Sequence, residues 1–227
     1  MQQTLSQPCS WMLQLLLVSN LLLWEHAVSA PMCLATEGYT ELPIEELFDQ
    51  TIVVAQYTSN LTKQMSEKFD ESFAKRLVHK ASNSSTCHTA SLATPETNEQ
   101  IQRTHLVNLL KAMISISRAW YHPLEHLVHA VAALKGAGKT MLLKVKEVKE
   151  KNQELLREIK KILVRVHPGA EENVYPAWMG LADVRSANED TRHFALSNLF
   201  RCLHSDTYKV ATYLEIVKCR VTRNNNC

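Results

Sequence analysis

The chain has 227 residues, long enough for one domain with a sizeable core. Gly is scarce at five residues, 21% of residues are charged, and the net charge is only +2, a soluble and helix-leaning composition. It carries no basic stripe of the kind a nucleic-acid binder shows.

From Met12 to Leu23 the chain is mostly apolar, and Val28-Ser29-Ala30 follows as a small-x-small cleavage site. The run falls short of the roughly 20 apolar residues a bilayer span requires. Residues 1–30 therefore read as a secretory signal peptide, although no Lys or Arg precedes the run. Residues 31–227 are the expected mature domain, secreted and extracellular, with no membrane insertion.

Four helical segments follow, each marked by apolar residues at three- and four-residue steps. The first carries Ile44, Leu47, Phe48, Thr51, Val54, Ala55, Thr58, Leu61 and Met65, with Pro43 suited to a first turn and Thr40 upstream as a cap region. Asn60-Leu61-Thr62 within it, and Asn83-Ser84-Ser85 beyond it, are N-glycosylation sequons at Asn60 and Asn83. The second segment covers about residues 104–134, from Leu106 through Leu110, Ile114 and Trp120 to Leu134, and Pro123 predicts a kink inside it. His122, His126 and His129 share one face there. They lack the Glu of a metalloprotease helix, so surface or partly buried histidine is the better reading.

The turn Gly136-Ala137-Gly138 is short, and Ala133 stands where a phosphate-binding loop needs Gly. The third segment, about 139–166, has one face of Val145, Val148, Leu155, Leu156, Ile159, Ile162, Leu163 and Val166, with Lys, Arg and Glu on the rest. The fourth, about 188–218, has Ala195, Leu199, Leu203, Val210, Tyr213, Leu214 and Val217. No alternating β pattern, internal repeat or matched acid–base pair is present, so the chain is read as all-α and not an enzyme, with no cofactor.

The connections run long, short, long. A helix of about 25 residues spans about 38 Å, and a twenty-residue connection reaches up to about 66 Å. Both long connections can run the length of a bundle, which predicts an up-up-down-down long-chain four-helix bundle with two crossover loops.

Removal of the signal takes Cys9 and leaves Cys33, Cys87, Cys202, Cys219 and Cys227. In an oxidising compartment these pair where geometry permits, and an odd count leaves one over. Cys219 and Cys227 can close a small loop and Cys87 with Cys202 a very large one, which makes Cys33 the expected unpaired thiol; spacing alone does not fix the pairing.

The string from Cys87-His88-Thr89-Ala90 to Thr94-Pro95-Glu96 resembles the loop before the second helix of prolactins. Tyr175-Pro176-Ala177-Trp178-Met179-Gly180-Leu181 is similar to their third connection, and Lys218-Cys219-Arg220 through Cys227 to their tail. The resemblance to the prolactin/growth-hormone family covers residues 31–227. It implies a cytokine bundle with Cys87–Cys202 and Cys219–Cys227 bridges and, as ancestral activity, the clamping of two copies of a single-pass cytokine receptor.

Departures from the family pattern matter as much as the matches. Thr40 replaces the partner of Cys33, a position at which rodent placental members often vary. On the first receptor surface Gln56 and Ser59 stand where prolactins place two histidines, and Tyr208 and Ala211 where they place His and Asp. Lys209 and Tyr213 match. On the second surface Glu158 replaces a small glycine. The expectation is a placental or decidual hormone that binds a cell-surface receptor in a nonclassical way, with weak or no prolactin-receptor dimerisation. The alternatives are a lactogenic hormone that dimerises that receptor and a sequestering protein that does not signal.

Overall fold

In the computed structural model the described residues are 41–77, 86–171 and 173–222. Residues 1–30, read above as a signal peptide, and Cys33, Thr40, Asn83 and Cys227 lie outside them. Every regular element among the described residues is helical: α1 (Ile44–Leu77), a 3-10 turn (His88–Ser91), α2 (Asn98–Arg103), α3 (Leu106–Ala119), α4 (Tyr121–Ala133), α5 (Lys139–Val166), α6 (Leu181–Val184) and α7 (Glu189–Thr222). All belong to one compact unit that begins at Leu42. None of the described helices is long and apolar enough to cross a membrane.

α1 starts where proline permits. Leu47 N–H donates to the Pro43 carbonyl at 3.0 Å, and Glu45 and Glu46 in the first turn complement the positive end of the helix dipole. The helix runs three turns past Met65, because the four-residue step continues through Phe69 to Phe73. Phe69 packs on Phe73 and on Phe200 of α7, with ring centroids 4.7 and 5.0 Å away.

The second rod is two helices, α3 and α4, joined at Trp120. Pro123 accounts for the break, because it lacks the N–H that would bond the Ala119 carbonyl one turn upstream. The His88 ring supplies the missing donor, with Nε2 3.2 Å from that carbonyl. A carbonyl only accepts, so the proton is assigned to Nε2. Ahead of α3, residues 98–103 form the separate helix α2, closed by a capping box between Thr97 and Gln100.

Side-chain links between the rods fix their directions. Between α1 and α7, Gln56 meets Glu215, Thr62 meets Thr207 and Asp70 meets Ser197, so one number rises as the other falls. Between α1 and α5, Tyr57 meets Glu147 and Gln64 meets Lys144. α5 runs against the second rod through Asn152 with Ser117 and Lys149 with Glu125. α7 does so through Asp206 with Trp120 at the junction and Arg220 with Thr104 just ahead of α3. Each pair is antiparallel, so α1 and the second rod point one way and α5 and α7 the other, which is the up-up-down-down arrangement.

The core fills the space between the rods with Phe48, Met65, Leu109, Ile114, Leu124, Val148, Ile159, Phe200, Leu203 and Leu214, all essentially inaccessible. Full burial of each such side chain stabilises by about 1.5–3 kcal/mol. Within the α5 stripe, Leu156 and Val166 are only partly buried. Asn152 takes an interior place instead, and its amide donates to the Ser117 carbonyl at 2.8 Å. The Cys87–Cys202 bridge is present, with Cα atoms 5.6 Å apart across 115 residues of sequence. Cys219 is also disulfide-bonded.

Candidate protein-binding surfaces

α1 has two flanks, one against α7 and one against α5. On the α7 flank the seam is closed from within. The Thr62 and Thr207 hydroxyls lie 2.8 Å apart in a buried contact. Above this seam stand the groups a partner can reach. Gln56 Nε2 donates to Glu215 Oε1 at 2.6 Å on the surface, and Tyr208 is 62% exposed.

Not every expected contact residue reaches that surface. Ser59 is 7% exposed and Tyr213 is 1% exposed, so both lie beneath it. The Ser59 carbonyl accepts from the Thr62 hydroxyl at 2.9 Å. The Tyr213 hydroxyl donates to the Pro95 carbonyl, and burial pushes its phenol up to about 12. Lys209 is half-buried and donates to Thr94 Oγ1 at 3.4 Å. Tyr213 and Lys209 therefore hold the segment before α2 against α7 and shape the surface from below. Ala211 is buried as well.

A buried carboxylate anchors this region. Asp206 is 4% exposed, and its Oδ2 accepts from Thr89 Oγ1 and from Trp120 Nε1, both at 2.7 Å. Burial pushes its pKa up, and the two hydrogen bonds pull the other way. With the Cys87–Cys202 bridge and the His88 contact to Ala119, three segments distant in sequence meet along about one turn of α7, from Cys202 to Asp206. Tyr208 stands two residues beyond it.

On the α5 flank the contacts are polar and face solvent. Tyr57 Oη donates to Glu147 Oε1 at 2.6 Å, and Lys144 Nζ donates to Gln64 Oε1 at 2.8 Å. The bond to Glu147 is the main reason the Tyr57 pKa is raised. Further along α5, the Glu158 side chain is 23% exposed and takes both its hydrogen bonds from Lys161 Nζ, at 2.9 and 3.1 Å. A glycine here would leave a notch in α5. Glu158 fills it with a charge already paired.

The three histidines of α4 do not converge. His122 and His129 are exposed, while His126 stacks on Trp178 at 5.6 Å and its Nδ1 lies 3.4 Å from Arg185. Among the described residues no three His, Cys, Asp or Glu side chains are grouped to hold a metal. Sequence reasoning missed Asp206 and Asn152. The signal was a gap in each apolar stripe, between Leu203 and Val210 and between Val148 and Leu155, where the helical period demands an inward residue.

Comparison with known proteins agrees with this architecture. The model of the somatotropin hormone family matches residues 16–227. Mouse Prolactin-3B1 is 42% identical over 229 residues, and the alignment takes in the whole of both chains.

Proposed function

The chain belongs to the somatotropin hormone family, and from that premise we propose that it is a secreted hormone that acts by binding one cell-surface receptor of the single-pass cytokine kind. The α1–α7 face is the docking surface, with Tyr208 and Gln56 at its centre. The observation that carries the nonclassical reading is Glu158. The resemblance puts a small glycine here, at a second receptor contact, and in this chain the Glu158 side chain is partly exposed and already paired with Lys161. Insertion of a second receptor would have to desolvate that pair or displace it, at a cost of about a few kcal/mol. The loss of the histidine cluster at Gln56, Ser59, Tyr208 and Ala211 supports the same reading, since it removes a group of side chains tunable by protonation or zinc. Thr40 in place of the family's second N-terminal cysteine supports a placental or decidual origin.

The mature, oxidised protein, labelled and applied to receptor-bearing cells, tests the docking face. Tyr208→Ala is expected to weaken cell-surface binding about tenfold or more, the range of a central aromatic contact, with the fold unchanged. Equal binding by wild type and variant would remove the α1–α7 face from the account.

A further inference from the structure

One face of α3 carries hydrogen-bonding groups and no charge. Asn108, Ala112 and Ser115 recur at four- and three-residue steps and so share that face. Beside it lie the segment from Ser91 to Pro95, Gln100 of α2 with Thr104 at its end, and Asn173 and Val174 of the connection before α6. Together they bound a groove of about 770 Å³, within the size range of small-molecule sites. No residue of α1 or α7 lines it.

The groove includes a hydroxyl without a partner. Ser115 is 1% exposed, and its Oγ makes no hydrogen bond. A hydroxyl in a helix can return to the carbonyl four residues back, as Thr51, Thr58 and Thr207 do in this chain. Ser115 does not, and it lines the groove. A buried polar group left unpaired costs stability, and a ligand hydroxyl that reached it would remove that cost.

The lining selects a chemical class. None of the side chains around the groove is charged, so nothing there pairs with a phosphate, sulfate, carboxylate or amine. The hydroxyls of Ser91, Thr94 and Thr104 and the amides of Gln100, Asn108 and Asn173 supply both donors and acceptors. Sugar hydroxyls need both. Leu92, Pro95 and Val174 stand among these polar groups and suit the apolar C–H face of a pyranose ring. The walls are helix and irregular chain, with no sheet edge on which a peptide could add a strand.

Parts of the groove are held in place before any ligand arrives. Lys209 donates to Thr94 Oγ1 at 3.4 Å, and the Tyr213 hydroxyl donates to the Pro95 carbonyl. Gln100 Oε1 accepts from the Glu96 and Thr97 N–H groups at 2.8 and 3.3 Å, which leaves Nε2 to donate. A preformed wall lowers the ordering cost of binding. We propose that this groove binds a neutral saccharide, with Ser115, Asn108 and Asn173 as its polar contacts. The inference goes beyond the receptor reading and does not depend on it.

The test uses the mature, oxidised protein on immobilised neutral oligosaccharides ending in mannose, galactose or N-acetylglucosamine, and on the same chains bearing sialic acid or sulfate. The best neutral chain is then titrated free in solution by saturation-transfer NMR. A neutral chain is expected to bind in both formats, and its charged counterparts to bind no better. Ser115→Ala and Asn108→Ala should each weaken binding about fivefold, the worth of one neutral hydrogen bond. Ser115→Ala should melt at the same temperature as wild type or higher, because it removes an unpaired buried hydroxyl. Tyr208→Ala should bind the saccharide as wild type does even where receptor binding is lost, so the two readings fail separately. Absence of binding by every neutral chain at millimolar concentration, preference for charged chains, undiminished binding by either groove variant, or a lower melting temperature of Ser115→Ala would overturn the proposal.

Discussion

The two flanks of α1 are built from different chemistry. Toward α7 the contacts include a buried hydroxyl pair, Thr62 with Thr207, beneath the exposed Gln56–Glu215 bond, and α7 is fixed in turn by its disulfide to Cys87 and by the Asp206 carboxyl, which takes two donors from outside α1. Toward α5 they are long polar side chains meeting in water. A buried hydrogen bond is costly to leave unmade, whereas an exposed polar pair is worth little because solvent competes for both partners. The α7 flank is thus preorganised and able to present a fixed surface. The α5 flank is closed by groups that add little stability and whose consequence lies in the space and charge they occupy.

The contrast breaks most visibly if the α7 side is cut. Replacing Cys87 and Cys202 with Ala is expected to lower the unfolding free energy by about 4–5 kcal/mol in the chain-entropy account of so large a loop, read by guanidinium denaturation. A loss under about 1 kcal/mol would place the stability of this region elsewhere.

Next in size is Asp206. Asp206→Ala leaves the Trp120 indole N–H and the Thr89 hydroxyl without their acceptor, and should cost about 2–4 kcal/mol. Asp206→Asn keeps an acceptor for them and should cost distinctly less. If the two variants are equally damaged, the carboxylate's charge matters more than its acceptor role.

The same residue sharpens the comparison through pH. Its folded pKa is raised by burial, so as pH rises from about 4 the unfolded chain releases the proton first. Asp206 therefore contributes more to stability below that range and loses the contribution as pH climbs to its folded pKa. Stability measured from pH 4 to 7 should fall less steeply in Asp206→Asn than in wild type. Parallel profiles would contradict the shift. The smallest effect belongs to the α5 flank: Tyr57→Phe should leave the denaturation midpoint unchanged within error.

How much of this was legible in the sequence differs along the chain in the same way. The apolar stripes gave all four rods, and α5 appears at the bounds its period marks, because those faces pack on the core with no competing signal. The far end of α1 is less legible than its start, although Phe69 and Phe73 keep the four-residue step beyond Met65. The break at Trp120 required knowing that proline frees a carbonyl one turn upstream of itself. Thr97 and Gln100 form the capping box of α2, a short local signal outside the apolar stripe of the second rod. Asp206 and Asn152 were read past because polar residues are presumed to face water; only their partners in other rods explain them. Tyr213 belonged to two readings at once, core stripe and receptor contact, and its period was the better guide. The exposed surface is the least legible part, since solvent-facing side chains are not constrained by packing.

The central claim is that Glu158 closes the second surface and leaves one receptor face in use. Light scattering with size-exclusion chromatography, on the mature protein mixed with excess prolactin-receptor ectodomain, measures it directly. Wild type is expected to form at most a one-to-one complex, and Glu158→Gly to gain measurable two-to-one species. A two-to-one complex of wild type at nanomolar concentrations would contradict the account.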